Sequence, residues 1–343
     1  MSAQPDLRSL YRQMCRMRYV EETVAGLWND GLITGEMHLG TGEEATIAGV
    51  AAHLRPGDAL SVDYRSTPPF VAHGVDLEAI FRELLGDAGG LDGGRAGHMH
   101  LLSPEHLAAA SGIVGASAPV VCGFGLAAQL DGRGQVAVAF FGDGAVNEGM
   151  VMESLNLASV WRLPVVFVCK DNRWAVTTRS RSVTAGGLRH RARGFGLPVV
   201  TVDGRDVAAV WRAAGRAVDN ARRGLGPTFL IARVERLEGH FLGDPLMQVA
   251  RNTRVLTAEV APLVAGVWSG PGAGLPVRLR SLMRLSQTIA AAMLGQVRPR
   301  KDPLMLTRGL LEASQAAALE QETRAEVAGA LAAARGGKVL RSA

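Results

Sequence analysis

A carboxylate, Asp143, and a side-chain amide, Asn172, each follow an apolar run in this chain, in Phe141-Gly142-Asp143-Gly144-Ala145 and in Val168-Cys169-Lys170-Asp171-Asn172. Mg²⁺ takes hard oxygen ligands in near-octahedral geometry and keeps phosphate oxygens in its shell. One carboxylate, one amide oxygen and one main-chain carbonyl therefore suffice to hold a Mg²⁺–diphosphate pair. A Gly-Asp-Gly alone is equally a tight turn between a strand and a helix. The amide at the next strand end is what points the pair toward ligand chemistry.

The chain between the two residues is patterned to bring them together. Val136 to Phe141 is an apolar run of buried-strand type, and Gly142 and Gly144 permit a sharp turn that leaves Asp143 at its carboxyl end. Met150, Val151, Ser154, Leu155, Ala158 and Trp161 recur at helical spacing, and Pro164 to Cys169 reads as a second buried strand. Strand, crossover helix and parallel strand put both turns at one sheet edge, where open α/β sheets bind ligands. The alternation continues elsewhere. Helices are expected over 6–30, Glu43 to Leu54, Leu77 to Leu85, Ala118 to Leu130 and Val207 to Arg222. Strands are expected over Ala59 to Val62, Pro198 to Val202 and Thr228 to Val234, and Gly86 to Gly97 is a glycine-rich loop. The expected fold is α/β, a three-layer helix-sheet-helix arrangement around a mostly parallel sheet.

Residues 255–300 differ in character. An apolar run from Val260 to Val267 breaks at Ser269 to Gly274, then resumes through Val277, Leu279, Leu282, Met283, Leu285, Ile289 and Met293, with Arg278, Arg280 and Arg284 between them. That is a basic amphipathic helix, expected at a subunit or partner interface. The expected division is 1–254 for the ligand-binding domain, 255–300 for this inserted segment and 301–343 for a helical tail.

Of 343 residues, 48% are hydrophobic and 20% charged, a globular balance that argues against a largely disordered chain. Cys15, Cys122 and Cys169 lack metal-ligand spacing and suit a reducing compartment. With neither a secretory signal nor a membrane span read from the chain, the expected location is cytoplasmic. The net charge of +5 fits anionic cofactors or acidic partners rather than nucleic acid, because the basic residues are spread and only three tyrosines accompany them. Arginine is densest from Arg173 to Arg193, read as a solvated loop, with docking of an acidic partner domain the alternative.

From Gly142 to Asn172 the chain resembles the thiamine diphosphate motif in alpha subunits of 2-oxo acid dehydrogenase complexes, the pyruvate, branched-chain 2-oxo acid and acetoin types. The likeness covers most of residues 6–254 and resumes from Asp302 to about Ala334. It implies a thiamine diphosphate-binding fold, with Asp143, Asn172 and the Trp174 carbonyl as Mg²⁺ ligands and Gly142, Gly144, Ala145 and Ala175 beside the cofactor. Tyr64-Arg65 matches a pair that holds the diphosphate, a task for which a phenol and a guanidinium are apt donors. Ile113, Val114 and Gly115 match a stretch whose main chain meets the aminopyrimidine. Met37-His38-Leu39 through Ala45 looks like the family's segment before its first core helix. Gly97-His98-Met99-His100 corresponds to a Gly-Ser-Met-His, and Leu237 to Pro245 to a loop whose His lies by the diphosphate. His240 and His100 are therefore the candidate catalytic histidines.

The resemblance implies an oxidoreductase that decarboxylates a 2-oxo acid, or acts on acetoin, and passes the acyl group to a lipoyl-bearing acyltransferase. It also implies a beta subunit that supplies the pyrimidine-binding domain and the activating carboxylate, in an alpha-beta heterotetramer without which this chain is inactive. Four departures bear on the substrate pocket and its control. Thr67 stands where the family usually has a His, Glu36 replaces a Phe and suggests a more polar substrate, and Asp171-Asn172-Arg173-Trp174 replaces Asn-Asn-Gly/Arg-Tyr. Phe241 occupies a position that some relatives phosphorylate as serine. Three alternatives stay open: a split transketolase-like or acyloin-forming subunit, a structural subunit that has lost its cofactor, and a nicotinamide enzyme built on Gly123, Gly125 and Ala128.

Overall fold

The computed structural model describes residues 4–244, 253–269, 272–296 and 302–336. Its first half runs α1 (Leu7–Asn29), α2 (Glu44–Ala51), β1 (Ala59–Val62), α3 (Thr67–Ala72), α4 (Leu77–Leu84), β2 (Leu102–Ser103), β3 (Ala108–Ala110), α5 (Ser117–Asp131), β4 (Ala137–Gly142) and α6 (Gly149–Trp161). The remainder runs β5 (Val165–Asp171), β6 (Trp174–Ala175), β7 (Thr178–Arg179), α7 (Gly187–Gly194), β8 (Val199–Asp203), α8 (Val207–Arg222), β9 (Thr228–Arg233), α9 (Thr253–Ser269), α10 (Leu275–Gln296), α11 (Pro303–Arg308) and α12 (Ala313–Arg335).

Seven strands form one sheet in the order β2-β3-β1-β4-β5-β9-β8. All neighbours are parallel except β2 and β3. Alternation along the central strands sends side chains to both faces. Val138, Phe140, Val166, Val168 and Leu230 meet α1, α2, α4, α8 and α12 on one face. Ala139, Phe141, Phe167 and Phe229 meet α5, α6 and α7 on the other. Each such large side chain contributes about 1.5–3 kcal/mol by leaving water, so the strand ends that carry Asp143 and Asn172 rest on the most buried part of the molecule. The three-layer α/β fold expected from the sequence is the one observed.

Local differences have identifiable causes. The helix α3 opens with Thr67-Pro68-Pro69, where a first-turn proline lacks only an N–H that would have no helical partner. β2 and β3 consist of Leu-Ser and three alanines, which give no strand signal. The glycine-rich loop is ordered by the buried Glu83 carboxylate, which accepts the N–H groups of Asp92, Gly94 and Ala96 at 2.7, 2.8 and 2.7 Å. Arg173 to Arg193 is not an open loop. It contains the β6–β7 hairpin and α7, and Arg191 donates to the Val146 carbonyl at 2.9 Å. The inserted segment forms α9 and α10, which pack on each other and expose Leu263, Trp268, Val277, Leu279 and Met283. No helix among the described residues is long and apolar enough to cross a membrane.

Candidate active site

β1, β4 and β5 lie side by side, and their carboxyl ends lead into Asp63-Tyr64-Arg65, Asp143 and Asn172. Gly142 pairs with Lys170, so the two turns start level with each other. Asp143 is fully buried. Its Oδ2 accepts from the Ser180 hydroxyl, while Oδ1 has no hydrogen-bond partner among the described residues. Burial raises its pKa to about 6, the Ser180 hydroxyl opposing and the charge of Asp171 adding. A buried acceptor left without a partner costs about 1–3 kcal/mol, and so marks a place for a ligand.

Asn172 turns its Oδ1 toward the Trp174 N–H at 2.9 Å, across Arg173, whose φ is 68°. This Asx-type turn leads directly into β6, so Trp174 and Ala175 sit against the turn after β4. A Cβ at Gly144 would lie 2.9 Å from the Ala175 Cβ. Gly144 therefore serves close approach rather than left-handed backbone, and Gly142 has φ −79°, which any residue adopts. Carboxylate, amide and the Trp174 segment do come together. Their donors are hard oxygens, and no cluster of three or more His, Cys, Asp or Glu suited to a metal occurs among the described residues. This set and the partnerless Oδ1 fit Mg²⁺ with a phosphate ligand.

Arg65 is buried. Its guanidinium donates to the Leu39 carbonyl and, at 2.8 Å, to the His240 carbonyl, so it clamps two loops onto the end of β1. A second cation within electrostatic range of Tyr64, Asp143 and Asp244 is Arg236, which donates to the Val176 carbonyl at 3.0 Å. Burial, then the charge of Arg65, lowers its pKa. Sequence reading missed Arg236, whose only signal is its place four residues before His240. It also missed Lys170, buried in β5 between Glu43 Oε2 at 2.7 Å and Asp63 Oδ1 at 3.1 Å.

The histidines divide. His240 is buried at the end of β1 with Tyr64, its ring 5.8 Å from the phenol ring. His100 is exposed beside Gly112, and the buried histidine against His240 is instead His38, which in turn packs on His98. Neither carried a site assignment in the sequence. Ile113 and Val114 are 62% and 44% exposed, which leaves an apolar rim beside the turn at Gly115. Glu36 faces solvent, so the hint it offered toward a polar substrate loses its basis. Thr67 is buried at the start of α3. Gly123, Gly125 and Ala128 lie inside α5, not at a strand-to-helix turn, and the nicotinamide reading loses its phosphate loop.

A mostly parallel sheet covered on both faces by helices, with buried oxygen donors gathered at neighbouring strand ends, defines a three-layer protein of the α/β class. Residues 12–258 match the family model for the dehydrogenase E1 component, and the chain belongs to that family, whose members are thiamine diphosphate-dependent oxidoreductases. It is 43% identical over 240 residues to the alpha subunit of acetoin:2,6-dichlorophenolindophenol oxidoreductase of Cupriavidus necator, covering 69% of this chain and 72% of the relative. The subunit of the same name from Bacillus subtilis is 38% identical over 259 residues, covering 75% and 78%. The pyruvate dehydrogenase E1 component subunit alpha of Zymomonas mobilis is 40% identical over 243 residues, covering 70% and 69%.

Proposed function

We propose that this chain is the alpha subunit of a thiamine diphosphate-dependent 2-oxo acid or acetoin dehydrogenase. It would bind Mg²⁺ and the cofactor diphosphate and act with a beta subunit, as a heterotetramer, to pass an acyl group to a lipoyl domain. The observation that carries this reading is the fully buried Asp143 carboxylate with one partnerless oxygen, at the strand end next to Asn172. When bound, thiamine diphosphate supplies a ring that stabilises a carbanion. Asp143, Asn172 and the Trp174 carbonyl would hold Mg²⁺. Tyr64, Arg236 and His240 would face the diphosphate, and the Arg65 clamp would keep the His240 loop in place. The main chain of Ile113, Val114 and Gly115 would meet the aminopyrimidine, and the apolar rim there is the natural seat for the beta subunit. That partner would bring the pyrimidine-binding domain and its carboxylate. The ordered arginine face between Arg173 and Arg193 offers positive charge to an acidic lipoyl domain.

The test is turnover of a panel of 2-oxo acids and acetoin by the chain with and without its co-expressed beta subunit. The expected result is activity only in the complex, dependent on thiamine diphosphate and Mg²⁺. Robust turnover by the chain alone contradicts the two-subunit reading, and dependence on sugar phosphates instead of a lipoyl acceptor would assign it to ketol transfer.

A further inference from the structure

His38, His98 and His240 come from three separate loops and meet at the end of β1, all buried. His98 Nε2 lies 3.1 Å from the main-chain nitrogen of His38 and 3.2 Å from His38 Nδ1. A main-chain N–H can only donate, so His98 Nε2 is the acceptor and carries no proton. His38 Nδ1 faces that same lone pair and hydrogen-bonds to it only as a donor. The single proton of the His38 ring is then on Nδ1, and its Nε2 is left as a bare acceptor. That Nε2 has no hydrogen-bond partner among the described residues. The opposite polarity holds for His240. Arg65 Nη2 lies 3.5 Å from His240 Nδ1, a guanidinium only donates, and so the His240 proton is on Nε2. The His38 and His240 ring centroids are 4.9 Å apart, and the Tyr64 ring is 4.7 Å from that of His38. One imidazole that accepts and one that donates thus stand together beside a phenol.

We propose that His98 is a positioning residue that holds His38 in its Nδ1–H tautomer, so that His38 Nε2 accepts a hydrogen bond from a donor group of the bound substrate, the diphosphate beside His240 having no proton to give. The tautomer follows from the geometry; its use in turnover rests on the proposed function. The loop that carries His98 is pinned in two places, by the Ser66 hydroxyl donating to the His98 carbonyl and by Glu83 holding the glycine-rich stretch before it. All three rings are kept neutral. Burial first, then Arg65, lowers His38 to about 3 and His98 and His240 to about 4. The other groups facing them are His100 toward His98, and Arg236 and Asp244 toward His240. None of these makes His38 cationic near neutral pH, so the arrangement is a fixed acceptor rather than a pH switch.

The experiment has an arm that needs no turnover. Ring ¹⁵N spectra of the full chain, with His38 assigned by the signals lost in His38→Gln, should show His38 protonated on Nδ1. In His98→Leu the proton should move wholly or partly to Nε2. His98→Gln, whose amide oxygen can replace the lost acceptor, should restore it. In the complex with the beta subunit, His98→Leu should lower kcat about 100-fold with KM and thiamine diphosphate affinity little changed, and His98→Gln should recover most of the loss. A wild-type His38 protonated on Nε2 overturns the proposal even where His98→Leu does not fold. So does a tautomer shift that leaves kcat unchanged. A correct tautomer in a wild-type complex with no dehydrogenase activity sinks the functional reading instead.

Discussion

Asp63 and Asp143 end neighbouring parallel strands and are both buried, yet they are partnered in opposite ways. Asp63 Oδ1 accepts from Lys170 Nζ at 3.1 Å and from the Arg65 N–H at 3.1 Å, and Lys170 reaches on to Glu43. Asp143 has a hydroxyl on one oxygen and, among the described residues, no hydrogen-bond partner on the other. The first carboxylate belongs to a closed ionic network that braces β1, β5 and the start of α2. The second carries a desolvation cost that the Ser180 hydroxyl offsets only in part, since burial still lifts its pKa to about 6. Asp63 with its cation in place is scaffold, whereas Asp143 keeps one oxygen that the proposed metal would use.

The sharpest way to break that contrast is Lys170→Met, which leaves Glu43 and Asp63 buried without their cation. Denaturant unfolding should show a loss of about 3–5 kcal/mol. A loss under about 1 kcal/mol would mean that the network is no scaffold. Glu21 supplies a third case, buried with the Gly40 N–H and, among the described residues, no cation at hydrogen-bond distance. Burial lifts it from 4.5 to about 8, with Glu44 adding and the Gly40 N–H opposing. Its folded-state pKa lies above the unfolded one, so the stability of its protonated form is full below about pH 4.5 and is lost as pH rises through about 8. Wild type should therefore lose roughly 2 kcal/mol more than Glu21→Gln between about pH 6 and 8. Parallel slopes for the two proteins would contradict the assignment.

Gly144→Ala presses a methyl group onto Ala175 and should cost about 1–3 kcal/mol, with partial relief when Ala175→Gly is added. No relief in the double variant would show that the contact is not the constraint. At the other extreme, the exposed pair Arg173–Glu235 at 3.3 Å should matter little. Arg173→Ala should shift stability by less than about 0.5 kcal/mol, and a larger shift would mean that this rim is part of the scaffold.

Sequence alone exposed one side of this contrast. β4 and β5 are continuous apolar runs, which made the turns at Asp143 and Asn172 visible, and α8 spans Val207–Arg222 as read, capped by Asp206 accepting from the Ala209 N–H at 2.9 Å. Lys170 was hidden because it interrupts a strand pattern that treats every charge as a boundary. Its partners lie 107 and 127 residues away. His38 and His98 were hidden for a related reason. They sit in loops 60 residues apart, without periodicity, and only the packing of those loops around Arg65 creates the cluster. Chemistry that follows strand ends is legible from one segment at a time, whereas chemistry assembled between loops is not.

If Asp143 is kept for a metal and its diphosphate, Asp143→Asn should separate binding from folding. Thermal unfolding of the chain and calorimetric titration of the complex with thiamine diphosphate and Mg²⁺ should be measured on the same preparation. Folding stability should hold or rise, because the buried charge is gone, while Mg²⁺-dependent cofactor affinity falls by about 100-fold or more, or roughly 2.7 kcal/mol. Unchanged affinity, or a large loss of stability with binding retained, would make Asp143 a second scaffold residue and remove the distinction from Asp63.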